Sequence, residues 1–96
     1  MDVVLVTKNG MVKRTSVEEF RTQGRGGGGI GAMAVNEGDA VVGAVGLSAQ
    51  SVMVVTAGGR AIRFAADDLR QMGRGAQGVR AIRLNEGDKV VAVLAL

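Results

Sequence analysis

Apolar residues fall in short β-branched runs separated by turn residues, and the whole arrangement is written twice. Val3-Val4-Leu5-Val6-Thr7 returns as Val52-Met53-Val54-Val55-Thr56, and Asn36-Glu37-Gly38-Asp39 returns as Asn85-Glu86-Gly87-Asp88, each 49 positions on with nothing inserted or deleted. Runs of this length bounded by Gly and Asn predict strands. A first strand at Val3 to Thr7 is followed by Asn9-Gly10, a hairpin signal in which both residues tolerate positive φ, and then by a second strand at Met11 to Thr15. In the second repeat Gly58-Gly59 fills the same turn between Val52 to Thr56 and Arg60 to Phe64.

Ser16-Val17-Glu18-Glu19 has capping-box spacing, which predicts one helical turn over 16–20, matched by Ala65-Ala66-Asp67-Asp68-Leu69. Phe20 and Leu69 share a position there and are expected to plug the core. After a glycine-rich loop, a third strand is predicted at Ile30 to Val35 and Val79 to Leu84. The Asn-Glu-Gly-Asp turn then feeds a fourth at Ala40 to Leu47 and Lys89 to Leu96. Four antiparallel strands repeated at this period make the unit of a β-propeller. The expected fold is all-β, with two four-stranded blades at 1–49 and 50–96. Propellers close with about four to eight blades, so the chain is expected either to be a segment of a longer propeller or to complete its ring by association of two to four copies, three being favoured. The clean phase of both repeats suits an excised or designed two-blade unit.

Composition removes most alternatives. The chain has no cysteine and no histidine, hence no disulfide, no thiolate metal site and no imidazole base. Asp67 and Asp68 are adjacent, so their side chains diverge, and no nucleophile or base accompanies them. Asn36-Glu37-Gly38-Asp39 lacks the alternating oxygen ligands of a calcium loop. The expectation is a protein that is not an enzyme, with no metal or cofactor. No apolar run is long enough to span a membrane, and Met1-Asp2 enters the first strand without a leader pattern, so a cytoplasmic location is expected.

The net charge is +3. All of that surplus lies in residues 50–96, since the basic and acidic side chains of residues 1–49 cancel. A basic excess favours polyanions, although a few surplus charges also serve solubility alone. The sharper signal is the loop Gln23-Gly24-Arg25-Gly26-Gly27-Gly28-Gly29 and its counterpart Met72-Gly73-Arg74-Gly75-Ala76-Gln77-Gly78. Both contain Gly-x-Gly-x-x-Gly, but a strand follows where a dinucleotide loop requires a helix. Many of these glycines are explained by positive φ in a crossing loop. Arg25 and Arg74, framed by glycine, can approach a phosphate closely with their fork of donors.

These stretches together, Leu5-Val6-Thr7-Lys8-Asn9-Gly10-Met11-Val12-Lys13-Arg14-Thr15, Glu19-Phe20, the Gln23 to Gly29 loop and Glu37-Gly38-Asp39 before valines, resemble the carboxy-terminal domain of bacterial DNA gyrase A. The related protein of topoisomerase IV shares the blade. The resemblance covers both repeats. It implies a β-pinwheel, a propeller-like ring whose blades exchange strands, and a basic rim that binds and wraps duplex DNA in support of supercoiling. Gln23, Arg25, Gly26, Gly27 and Gly29 match the box motif of that family, whereas Gly24 and Gly28 stand where basic side chains are expected. Phosphate contacts are accordingly expected from Arg25 and Arg74, then Lys13, Arg14 and Arg63, with Arg21 and Arg70 flanking the loops. Arg80 and Arg83 come next, on opposite faces of the third strand by alternation. Lys8, Arg60 and Lys89 are expected to be solubilising charges. The contrasting expectation is a self-assembling structural propeller in which DNA binding is incidental.

Overall fold

The computed structural model describes residues 2–16, 35–47, 51–69 and 78–96. Among the described residues seven strands form two antiparallel sheets: β1 (Asp2–Thr7), β2 (Met11–Ser16), β3 (Val41–Gly46), β4 (Ser51–Thr56), β5 (Ala61–Ala65), β6 (Val79–Arg80) and β7 (Val90–Ala95). The first sheet has the order β3-β1-β2-β6 and the second β5-β4-β7. Strands β1 and β4 are central in both, as their near-continuous Val and Leu content suits burial on two faces.

One strand crosses between the repeats. β6 comes from the second repeat but pairs with β2 of the first, Met11 opposite Arg80 and Val12 opposite Val79. Among the described residues the first sheet therefore has four strands, the last supplied by residues 79–80, and the second has three. The predicted strand over Val79 to Leu84 is realised as two residues. Beyond Arg80 the Ala81 amide donates to the Gly10 carbonyl at 2.8 Å, and Ile82 turns into the core. Of its counterpart, Val35 is described and lies outside any strand; residues 30–34 lie outside the described residues.

The hairpins form between the expected strands, but the residue before each glycine does not take positive φ. Among the described residues only glycine takes positive φ, Gly10 at 95° and Gly59 at 91° in these loops. Three residues separate Thr7 from Met11, and three separate Thr56 from Arg60, whose carbonyl accepts from Thr56 N at 2.9 Å; each loop is closed by a bond from the glycine amide to the carbonyl of Thr7 or Thr56, both 3.1 Å. That is the three-residue hairpin form, in which a left-handed glycine follows two right-handed positions. The Asn-Glu-Gly-Asp turns form as expected, with Asp39 N to Asn36 O at 2.9 Å and Asp88 N to Asn85 O at 3.0 Å. Ser16 ends β2; the rest of the expected helical turn, residues 17–20 with Phe20, lies outside the described residues. Its counterpart segment makes a single 3-10 turn at Ala66–Asp68.

The sheets share one core. Val4, Val6 and Val12 of the first sheet pack with Val52, Val54, Leu69, Ile82 and Val90. Leu69 fulfils its expected role as a plug at 6 % exposure. Gly43 on β3 lets β7 approach closely, since a Cβ there would stand 2.8 Å from Val93 Cγ1.

Candidate nucleic-acid interface

Polar groups gather at the hairpin end of both sheets. Thr7 Oγ1 accepts from the Met11 amide at 3.0 Å, and Thr56 Oγ1 from the Arg60 amide at 3.1 Å. Asp39 Oδ1 accepts from Asn9 N at 2.9 Å and Ala40 N at 2.8 Å; Asp88 Oδ1 accepts from Gly58 N and Lys89 N, both 2.8 Å. Thus the acidic residue after each Gly38 or Gly87 turn clamps the hairpin loop of its own sheet. Sequence reasoning identified the turn but not this clamp. The available signal was the co-repetition of Thr7 with Asp39 and of Thr56 with Asp88.

Desolvation raises the Asp39 carboxyl, but the Thr7 hydroxyl, the Ala40 and Asn9 amides and the Lys8 charge together hold it below its ordinary value. A depressed aspartate contributes stability that is fully present above the unfolded value, about pH 4, and is lost as pH falls through the lower folded value. Asp39→Asn retains the amide-accepting oxygen and removes the titration. Thermal midpoints measured by circular dichroism between about pH 2 and 7 should therefore fall less steeply on the acid side for Asp39→Asn than for the parent chain.

The described basic residues divide between the two ends. At the hairpin end, Arg60 Nη1 donates to the Arg83 carbonyl at 2.7 Å and Arg80 Nη1 to the Asn9 carbonyl at 3.3 Å. Arg60, Arg80, Arg83 and Lys89 are all exposed there. Because β6 stops at Arg80, strand alternation does not carry Arg83 to the face opposite Arg80, as the sequence suggested. Arg60 was missed as a member of this group because the first repeat has Met11 in its place, so repetition did not mark it.

Towards the other end, Arg14 Nε donates to Asp2 Oδ2 at 2.7 Å, and its Nη1 donates to the carbonyls of Ala66 at 2.9 Å and Leu69 at 3.5 Å. Lys13 is wholly buried. Neither residue presents an open cation to solvent in this arrangement. Arg63 is exposed and its Nε donates to Ser51 Oγ at 2.9 Å. Arg21, Arg25, Arg70 and Arg74, and the box Gln23 to Gly29, lie outside the described residues. Among the described residues no cluster of acidic or imidazole side chains could hold a metal ion, and no helix is long and apolar enough to cross a membrane.

Two propeller-type sheets that share a core and exchange a strand, with arginines spread over exposed hairpin ends, define a fragment of a β-pinwheel. A family model described as the DNA gyrase C-terminal domain, beta-propeller, matches residues 2–46 and again 50–96. The chain belongs to that family. The DNA gyrase A protein of Borreliella burgdorferi is 45 % identical over 40 residues, which cover 42 % of this chain and 5 % of that protein. A solved DNA gyrase A C-terminal domain superposes with TM-score 0.83 at 30 % identity, covering 97 % of this chain and 30 % of that one. The C-terminal domain of DNA topoisomerase IV gives 0.88 at 28 % identity, covering 99 % and 29 %. The chain thus spans a small part of the length of these relatives.

Proposed function

We propose that this chain is a non-catalytic, cytoplasmic module that binds and wraps duplex DNA through phosphate contacts, as part of the machinery of a type II topoisomerase. The observation that carries this reading is the match of both repeats, over nearly their whole length, to the gyrase A C-terminal domain family, which wraps DNA in topoisomerases. The exposed Arg60, Arg80 and Arg83 at the hairpin end support it, and so does the glycine-framed arginine that recurs as Arg25 and Arg74. Such contacts give affinity without base readout, because every phosphate offers the same acceptors.

The test is duplex affinity measured by fluorescence anisotropy across a salt series. Binding should weaken steeply with salt, and Arg25→Ala or Arg74→Ala should each weaken it and lower the slope of log K against log salt by about 0.9 per lost phosphate contact. Absent or salt-insensitive binding removes the reading.

A second reading, a structural unit that self-assembles, is favoured by one observation. Among the described residues β5 pairs with β4 alone, so its other edge is without a strand, and such edges are templates for another chain. Association of copies, with three making a six-bladed ring, is compatible with DNA wrapping and does not require it.

A further inference from the structure

The chain has three asparagines, Asn9, Asn36 and Asn85, and their chemical settings differ. Asn36 and Asn85 precede Glu37 and Glu86, whose side chains crowd any attack by the following amide nitrogen. Asn9 precedes Gly10, which has no side chain to obstruct it. Asn9 is exposed, and among the described residues every hydrogen bond it makes is made by its backbone, which leaves the carboxamide to rotate in solvent. The second hairpin has Gly58-Gly59 at these two positions and carries no carboxamide.

The peptide plane between Asn9 and Gly10, by contrast, is fixed at both ends. Its amide, on Gly10, donates to the Thr7 carbonyl at 3.1 Å, and its carbonyl, on Asn9, accepts from Arg80 Nη1 at 3.3 Å. The preceding plane is held by Asp39 Oδ1, which accepts from Asn9 N at 2.9 Å. The following plane is held as well: Gly10 O accepts from Ala81 N at 2.8 Å, and a Cβ on Gly10 would stand 2.7 Å from Ile82 O. Cyclisation requires the Gly10 nitrogen to turn onto the Asn9 side-chain carbon. That rotation gives up the Thr7 and Arg80 bonds together, so the electrophile is exposed while the nucleophile is restrained.

We infer that Asn9-Gly10 is a site of spontaneous covalent modification, which cyclises and hydrolyses to isoaspartate at a rate governed by opening of its hairpin, and that the product releases Ala81 from the first sheet. In the first step the Gly10 nitrogen bonds to Asn9 Cγ as the Cγ–Nδ2 bond breaks. Nδ2 leaves as ammonia with the Gly10 amide proton, closing a succinimide. Water then adds to a ring carbonyl. Opening at Cγ gives aspartate, whereas opening at the Asn9 main-chain carbonyl gives isoaspartate, whose backbone runs through Cγ and is one carbon longer. Openings confined to one hairpin cost less than global unfolding, so they set the rate in the folded chain. The longer backbone matters because Gly10 has no slack: it is bonded to Thr7 on one side and abuts Ala81 and Ile82 on the other. The Thr7 bond closes the hairpin itself, so the bond to Ala81 is the one lost.

The test follows the full chain at mildly alkaline pH by peptide mass spectrometry, with isoaspartate counted by labelled methyl transfer from S-adenosylmethionine, catalysed by an isoaspartate-specific methyltransferase. Asn9 should convert while Asn36 and Asn85 persist, at a rate about tenfold or more below that of the same chain in urea. Arg80→Ala, which releases one end of the peptide plane, should raise the folded-state rate several-fold with the thermal midpoint little changed, since the bond it removes is exposed. Asn9→Gly, which copies the second hairpin, should fold and accept no methyl groups. In the isoaspartyl fraction the Ala81 amide should exchange with solvent faster than in the parent. Freshly prepared Asn9→Asp, which adds the charge without the extra carbon, should keep Ala81 protected. Asn9 converting no faster than Asn36 and Asn85, a folded-state rate equal to that in urea, an Arg80→Ala rate equal to the parent's, or an isoaspartyl chain that keeps Ala81 protected would each overturn the inference.

Discussion

Gly78→Ala should destabilise the fold by about 3 kcal/mol or more, among the largest effects of any single substitution in the described residues. Gly78 has φ +85°, and an added Cβ would overlap the Val12 carbonyl oxygen while standing 2.9 Å from its carbon and 3.1 Å from Lys13 Cβ. None of those atoms can retreat easily, because Val12 lies in β2 and is held on its other side opposite Val6. The substitution therefore strains the left-handed backbone and also pushes β6 off the first sheet, exposing Val12 and Ile82. Gly38→Ala is the control. It has nearly the same φ, +84°, with nothing within 4 Å of the added Cβ, so only the backbone penalty of about 1–2 kcal/mol remains. Urea denaturation of both variants measures the difference. Equal losses would mean that the seating of β6 against β2 contributes nothing to stability.

The strands of each repeat were legible because the core uses β-branched runs with clear turn boundaries; β1, β2, β3, β4, β5 and β7 lie within a residue of their expected limits at most ends. The exchange of β6 was not legible from pattern. Periodicity reports that residues 79–80 can be a strand, but the free energy that selects an edge lies in a partner 67 or more positions away, at Val12 and Met11. Only the family resemblance carried the expectation of exchanged strands. At the hairpins only the expected positive φ before the glycine is not realised, and for a local reason. Asn-Gly suits a turn with two positive φ values, but the amide of Asn9 is held by Asp39 Oδ1, and a three-residue loop with Gly10 alone in the left-handed region satisfies that bond. On the candidate site, repetition singled out Arg14 with Arg63 and could not say which role the repetition conserved. Charge type is visible in a sequence, whereas engagement depends on what the fold brings within about 3 Å.

Arg14→Ala should cost about 2–3 kcal/mol, well above what a surface cation contributes. Its guanidinium is 23 % exposed and Asp2 16 %, and one fork joins three elements: β1 through Asp2, β2 through its own backbone, and the 3-10 turn of the second repeat through the Ala66 carbonyl. Removing it strips Asp2 of a 2.7 Å ion pair in a partly desolvated site and takes a donor from the Ala66 carbonyl in the turn beside Leu69. Arg14→Lys should recover little, because a single ammonium cannot reproduce the divergent Nε and Nη1 bonds of the fork. Arg63→Ala supplies the contrast: in dilute chain its exposed side chain loses one bond to Ser51 Oγ, and the cost should be a few tenths of a kcal/mol, as for other exposed polar contacts. A double-mutant cycle of Arg14→Ala with Asp2→Ala, read by denaturant unfolding, isolates the ion pair from the carbonyl contacts. A coupling near zero together with a full loss for Arg14→Ala would assign the stabilisation to the 3-10 turn carbonyl, and so to the junction between the repeats. If Arg14→Ala instead leaves stability unchanged but weakens duplex binding, the side chain leaves Asp2 for phosphate, and its place among the phosphate contacts is restored.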